Sequence, residues 1–62
     1  MSNEKKFSFY FFSDGEILEE VDADSDAEAF AELTKYGYRL KGFFTHYTRY
    51  TRATGQMELF EV

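Results

Sequence analysis

Neither cysteine nor proline occurs in the 62 residues. Without cysteine there are no disulfides, no thiol nucleophile and no thiolate metal ligands. Apolar runs are short. The longest, Phe9-Tyr10-Phe11-Phe12, has four residues, against about 20 for a transmembrane helix and about 7 for the core of a signal peptide. The chain therefore reads as soluble and cytoplasmic. Histidine is scarce too, His46 being the only one. In an aromatic strand a lone histidine packs or hydrogen-bonds more often than it catalyses. The four glycines are isolated, which leaves no phosphate-cradling loop. Asp22, Asp24 and Asp26 alternate like the start of a calcium loop, but the glycine at its sixth position and the glutamate at its twelfth are missing. A helix cap accounts for those acids better. The expectation is a non-enzyme with no catalytic residues, no cofactor and no metal.

Aromatic residues are abundant: eight Phe and five Tyr. A domain this small buries only about 60% of its unfolded surface, so large side chains must supply its core. Charge is uneven. Residues 1–34 hold two lysines against ten acids, and residues 35–62 hold five basic residues against two acids. The net charge is −5. An acidic surface keeps a protein soluble, and it also suits a basic partner.

One domain spans residues 1–62, with residues 1–4 frayed. Residues 6–13 read as a strand with Phe7, Phe9 and Phe11 on one parity. Asp14-Gly15 marks a hairpin. A two-residue turn would pair Phe12 with Ile17 and Phe11 with Leu18. A three-residue loop with Gly15 left-handed would pair Phe11 with Ile17 and Phe7 with Val21. The second gathers more apolar residues on one face and is preferred. Glu19 interrupts that face, which suits an edge strand. Ser25-Asp26-Ala27-Glu28 is a capping box. Phe30 and Leu33 centre the helix's buried stripe, flanked by Ala29 and Tyr36, and Gly37 ends the helix. Residues 38–52 read as a long third strand bent at Gly42. Ala53-Thr54-Gly55 reads as a three-residue loop with Gly55 at positive φ, and residues 57–62 as a fourth strand. The fold class is α+β, ββαββ: a four-stranded antiparallel sheet of order 2-1-3-4 with one helix on one face.

One short helix covers one face of such a sheet, yet both faces carry apolar residues. If Phe7, Phe9 and Phe11 face the helix, then Tyr10, Phe12 and Leu18 face away. An uncovered aromatic face marks an interface. The stretch Lys41-Gly42-Phe43 matches the first three positions of the strand motif of RNA-recognition domains, but Phe44 and Thr45 fail the next two. Tyr47-Thr48-Arg49 and Tyr50-Thr51-Arg52 repeat with period three, whereas strand faces alternate with period two. Tyr47 and Tyr50 therefore point to opposite faces, as do Arg49 and Arg52, and no single base-stacking platform forms.

A set of short segments resembles a known family. These are Lys5-Lys6-Phe7, Val21-x-Ala23, Ser25-Asp26-Ala27-Glu28-Ala29, Gly42-Phe43 and Thr48-Arg49-Tyr50. Over residues 5–52 they resemble the small ββαβ inhibitor of host RNA polymerase made by T7-like phages. The resemblance implies polymerase binding through arginines of the third strand and an acidic strand-helix surface. Arg49 matches the arginine of the family's Thr-Arg segment; Arg52 matches its second arginine only with altered spacing. The longer third strand and the extra fourth strand depart from that family.

The sequence thus points to a small acidic protein-binding module, of the phage or mobile-element kind that inhibits or assists a host protein. Tyr47, Arg49, Tyr50, Arg52, Tyr10 and Phe12 would form its aromatic and basic contact. Glu19, Glu20, Asp22, Asp24 and Asp26 would steer a basic partner. The alternatives are a single-stranded nucleic-acid binder using the third-strand hairpin, and a homodimer whose partner is a second copy. Nucleic acid is the disfavoured partner, and no membrane is implied.

Overall fold

The computed structural model describes residues 4–62. The expected frayed start lies outside the described residues except for Glu4. The strands are β1 (Phe7–Ser13), β2 (Glu16–Ala23), β3 (His46–Thr51) and β4 (Gln56–Glu61). They form one antiparallel sheet in the order β2-β1-β3-β4, as the sequence implies. The helix α1 (Asp26–Lys35) crosses one face, and a short turn, α2 (Leu40–Phe43), leads into β3.

The first hairpin corrects the preferred register. Ser13 pairs with Glu16 and Phe12 with Ile17, so the turn has two residues. Asp14 (φ 51°) and Gly15 (φ 83°) are both left-handed, as a type I′ turn requires. Continued without a break, this register would set Leu18 opposite Phe11. Instead the register slips between Phe11 and Phe12: Leu18 is left unpaired and Phe11 faces Glu19. The bulge rephases the strand, so Phe9 pairs with Val21 and Phe7 with Ala23. Ile17 consequently leaves the core face and is 54% exposed.

Helix α1 begins where the cap chemistry says. The Glu28 amide donates to Ser25 Oγ at 3.1 Å. The Glu28 carboxylate accepts the Asp24 amide at 2.8 Å and Lys5 Nζ at 3.0 Å. These bonds hold it below the usual carboxylate range. The helix ends in a Schellman motif: the Tyr38 amide donates to Leu33 O and the Gly37 amide to Thr34 O, with Gly37 at φ 89°. Ala29 and Leu33 are buried, whereas Tyr36, expected beside them, is 62% exposed. It is the last residue before the chain reverses and points off the sheet.

The third strand is shorter than expected. Lys41 (φ −80°, ψ 134°) and Gly42 (φ 100°, ψ −27°) have the dihedrals of a type II turn, so the chain reverses there and the strand begins only at His46. This turn drops Phe44 into the core, where its ring lies 5.4 Å from that of Phe11. The second hairpin loop has four residues, 52–55, rather than three, and Gly55 takes positive φ (75°).

The core lies between sheet and helix: Phe9, Phe11, Val21, Ala23, Ala29, Leu33, Phe44 and Tyr47. Phe9, Phe11 and Leu33 are its largest fully buried side chains. Each contributes about 1.5–3 kcal/mol by leaving water.

The helix-free sheet face and the Asp26 clamp

Strand alternation and the observed registers sort every strand residue by face. On the helix side, Phe11 pairs with Tyr47 and Phe9 with Arg49. On the other side, Ile17, Phe12, His46 and Glu61 form one row across the sheet, and Glu20, Tyr10, Thr48 and Leu59 the next. Asp22, Ser8, Tyr50 and Met57 make the third row.

The helix-free face is apolar at its margins. Ile17, Met57 and Leu59 are 54%, 58% and 67% exposed. Phe12, Tyr10 and Tyr50 are half-buried between them, and Ser8 and Thr48 are buried at the floor. A shallow groove runs along Phe12, Gly15, His46 and Leu59. At one end a polar chain crosses three segments: Arg52 donates to Ser8 Oγ at 2.9 Å, Ser8 Oγ donates to Asp22 at 3.0 Å, and Arg52 pairs with Asp22 at 3.0 Å. The Tyr10 hydroxyl is hydrogen-bonded to Glu20, which raises its pKa.

Tyr47 and Arg49 lie on the opposite side and do something else. The Tyr47 hydroxyl donates to one carboxylate oxygen of Asp26 at 2.9 Å, and Arg49 donates to the other at 2.8 Å. Asp26 is the first residue of α1, so this carboxylate pins the helix start to β3, where the helix dipole also favours it. Arg49 lies between two rings, 5.4 Å from the Phe7 centroid and 5.0 Å from that of Phe60, with Glu58 at 3.6 Å. Its Nε is buried and has no hydrogen-bond partner among the described residues.

The six aromatic and basic candidates are therefore divided. Tyr10, Phe12, Tyr50 and Arg52 share the helix-free side, while Tyr47 is a core residue at 8% exposure and Arg49 braces the helix. The acidic set is divided as well. Glu20 and Asp22 border the helix-free face, and Glu19 reaches the Tyr38 hydroxyl on the helix side. Asp24 accepts the Lys6 amide at 2.9 Å, and Asp26 is held by Tyr47 and Arg49. Among the described residues, no three acidic or histidine side chains converge as metal ligands would. Nor is any described helix long and apolar enough to cross a membrane. The clamp at Asp26 is the feature that sequence reasoning missed. Its one signal is the two-residue spacing of Tyr47 and Arg49, which puts both on one face.

Against known proteins, no family model, no curated protein and no solved structure matches this chain. The polymerase contact expected from the sequence falls on Arg49. Here it is engaged by Asp26 and Glu58.

The clamp has a pH signature. Burial, then the bond to Asp26, pushes the Tyr47 hydroxyl from its ordinary value of 10.0 up to about 12. Its neutral form is the one the fold favours. Stability from this group is intact below pH 10 and lost as pH rises from 10 toward 12, by on the order of 2 kcal/mol. Tyr47→Phe should flatten that part of the stability profile in urea melts and remove the last step of the tyrosinate absorbance titration. An unchanged alkaline profile in Tyr47→Phe would refute the assignment.

Proposed function

We propose that this chain is a small non-catalytic protein-binding module that docks on a host protein through the helix-free face of its sheet. It belongs, on this reading, with the inhibitors and accessory factors of phages and mobile elements, and works in the cytoplasm. The observation that carries the proposal is the uncovered row Ile17, Phe12, His46 with Leu59 and Met57 beside it. Exposed apolar area of this kind, flanked by aromatic residues with polar tips, suits a protein surface. Glu20 and Asp22 on the β2 border, together with a net charge of −5, call for a partner with basic residues around an apolar centre. Arg52 and Tyr50 supply the donors at the far end.

Nucleic acid is a poorer fit. Tyr47 and Arg49, half of the aromatic-basic repeat, lie on the helix side, and the acids at the border repel phosphates.

The test is capture from a bacterial lysate with wild type, with Phe12→Ala/Ile17→Ser, and with Tyr36→Ser on the opposite surface. A stoichiometric protein that survives nuclease should be retained by wild type and Tyr36→Ser. The double variant should lose affinity for it by about 30-fold or more, as expected for a hot spot. Equal capture by the double variant, or recovery lost on nuclease treatment, would overturn the proposal.

A further inference from the structure

Among the described residues, the two edge strands of the sheet, β2 and β4, are unlike each other. β2 carries Glu16, Glu19, Glu20 and Asp22 and is broken by the bulge at Leu18. Charges and bulges are what keep an edge strand from pairing with another chain. β4 has neither a bulge nor a lysine: its register with β3 is unbroken from Gln56 to Glu61. Of its two acids, Glu58 is drawn toward Arg49 on the helix side.

The backbone of β4 can be oriented residue by residue. The Val62 amide donates to Thr45 O, just before β3, and the Arg52 amide donates to Lys6 O, just before β1. In an antiparallel ladder the direction alternates, so Phe60 and Glu58 also point their amides and carbonyls toward β3. Those of Met57, Leu59 and Glu61 then point outward, to the open edge.

We propose that β4 pairs antiparallel with β4 of a second copy, about a two-fold axis at Leu59, to give a continuous eight-stranded sheet. This register joins Leu59 to the partner's Leu59 and each Met57 to the partner's Glu61. It uses all three outward-pointing residues of each strand and sets no like charges directly opposite. Moving the axis to Glu61 would set two carboxylates face to face. Moving it to Met57 would leave the groups of Glu61 unpaired. Both helices then lie on one side, and the two helix-free faces merge across paired leucines. The inference is independent of the proposed host partner: it uses the outward backbone groups of β4, whereas the host partner would take the side chains of the face, Leu59 and Met57 among them.

Sedimentation equilibrium at high micromolar concentration should give twice the 7.3 kDa chain mass. Leu59→Pro should halve it while the chain stays folded by circular dichroism. Proline there removes an amide that faces outward, and edge strands tolerate that. Register is read with single cysteines, the only thiols in the chain. Leu59→Cys should oxidise to a covalent dimer, because facing Cα atoms of a bonded pair lie about 5.5 Å apart, within disulfide reach. Met57→Cys should not, its counterpart being four residues along, about 13 Å away. A monomeric wild type overturns the inference. So does a dimer that survives Leu59→Pro, or one in which Met57→Cys crosslinks and Leu59→Cys does not. Should Leu59→Pro fail to fold, the two cysteine variants decide alone.

Discussion

Phe11→Ala is expected to remove a large part of the chain's folding stability, while Phe12→Ala, one residue on, leaves most of it. Phe11 is fully buried, and its ring lies 5.4–6.3 Å from those of Phe9, Phe30, Phe44 and Tyr47. Truncating such a residue costs about 3–5 kcal/mol. A 62-residue domain has roughly 3–9 kcal/mol in total at the usual stability per residue. Nothing can close the hole cheaply, because Phe11 sits where the sheet, the helix and the turn before β3 meet. Phe12 faces the helix-free side, where its loss removes surface contacts and costs about 1 kcal/mol. Urea titration of the two variants separates them. Equal losses would mean that the faces of β1 are reversed.

Arg49→Glu should be nearly as damaging, and for a reason unrelated to any partner. The change removes the Asp26 pair and both ring contacts, and puts a carboxylate beside Asp26 and Glu58. Breaking a fully buried pair costs about 3–5 kcal/mol. With side-chain exposures of 27% and 29%, solvent screening brings the expected loss to about 2–3 kcal/mol. That is roughly 10–20 °C in melting temperature for a domain of this size. Arg52→Glu, at the rim, should cost no more than about 1 kcal/mol. A variant of Arg49 that fails in cells therefore reports on folding first. If Arg49→Glu melts with wild type, the clamp does not hold the helix.

Much of the architecture is legible in local chemistry. Phe7, Phe9 and Phe11 give the first strand's inner face by alternation, Ser25 and Glu28 mark the helix start, and Gly37 ends it. These signals lie within a few residues of what they specify. The bulge at Leu18 does not. It arises because a two-residue turn at Asp14-Gly15 and an apolar inner face for Val21 are incompatible in a regular ladder, and the strand slips to satisfy both. The same holds for residues 38–45. Their aromatic content reads as strand, but Gly42 makes a turn that carries Phe44 inward. The length of that connector also decides which parity of β3 faces the helix, and with it the roles of Tyr47 and Arg49. The helix-free face follows from counting layers; its membership depends on that parity.

The strand order has a consequence during synthesis. β1 is made first but lies in the middle of the sheet, and its second neighbour, β3, ends 40 residues after Phe11. β2 ends at Ala23, so at the usual rate of elongation the completed hairpin waits about 1–6 s for the end of β3, with one edge of β1 unpaired. Residues 14–33, made before β3, carry nine acids and no base. That run of like charge opposes pairing of the open β1 edge with the same segment of another chain.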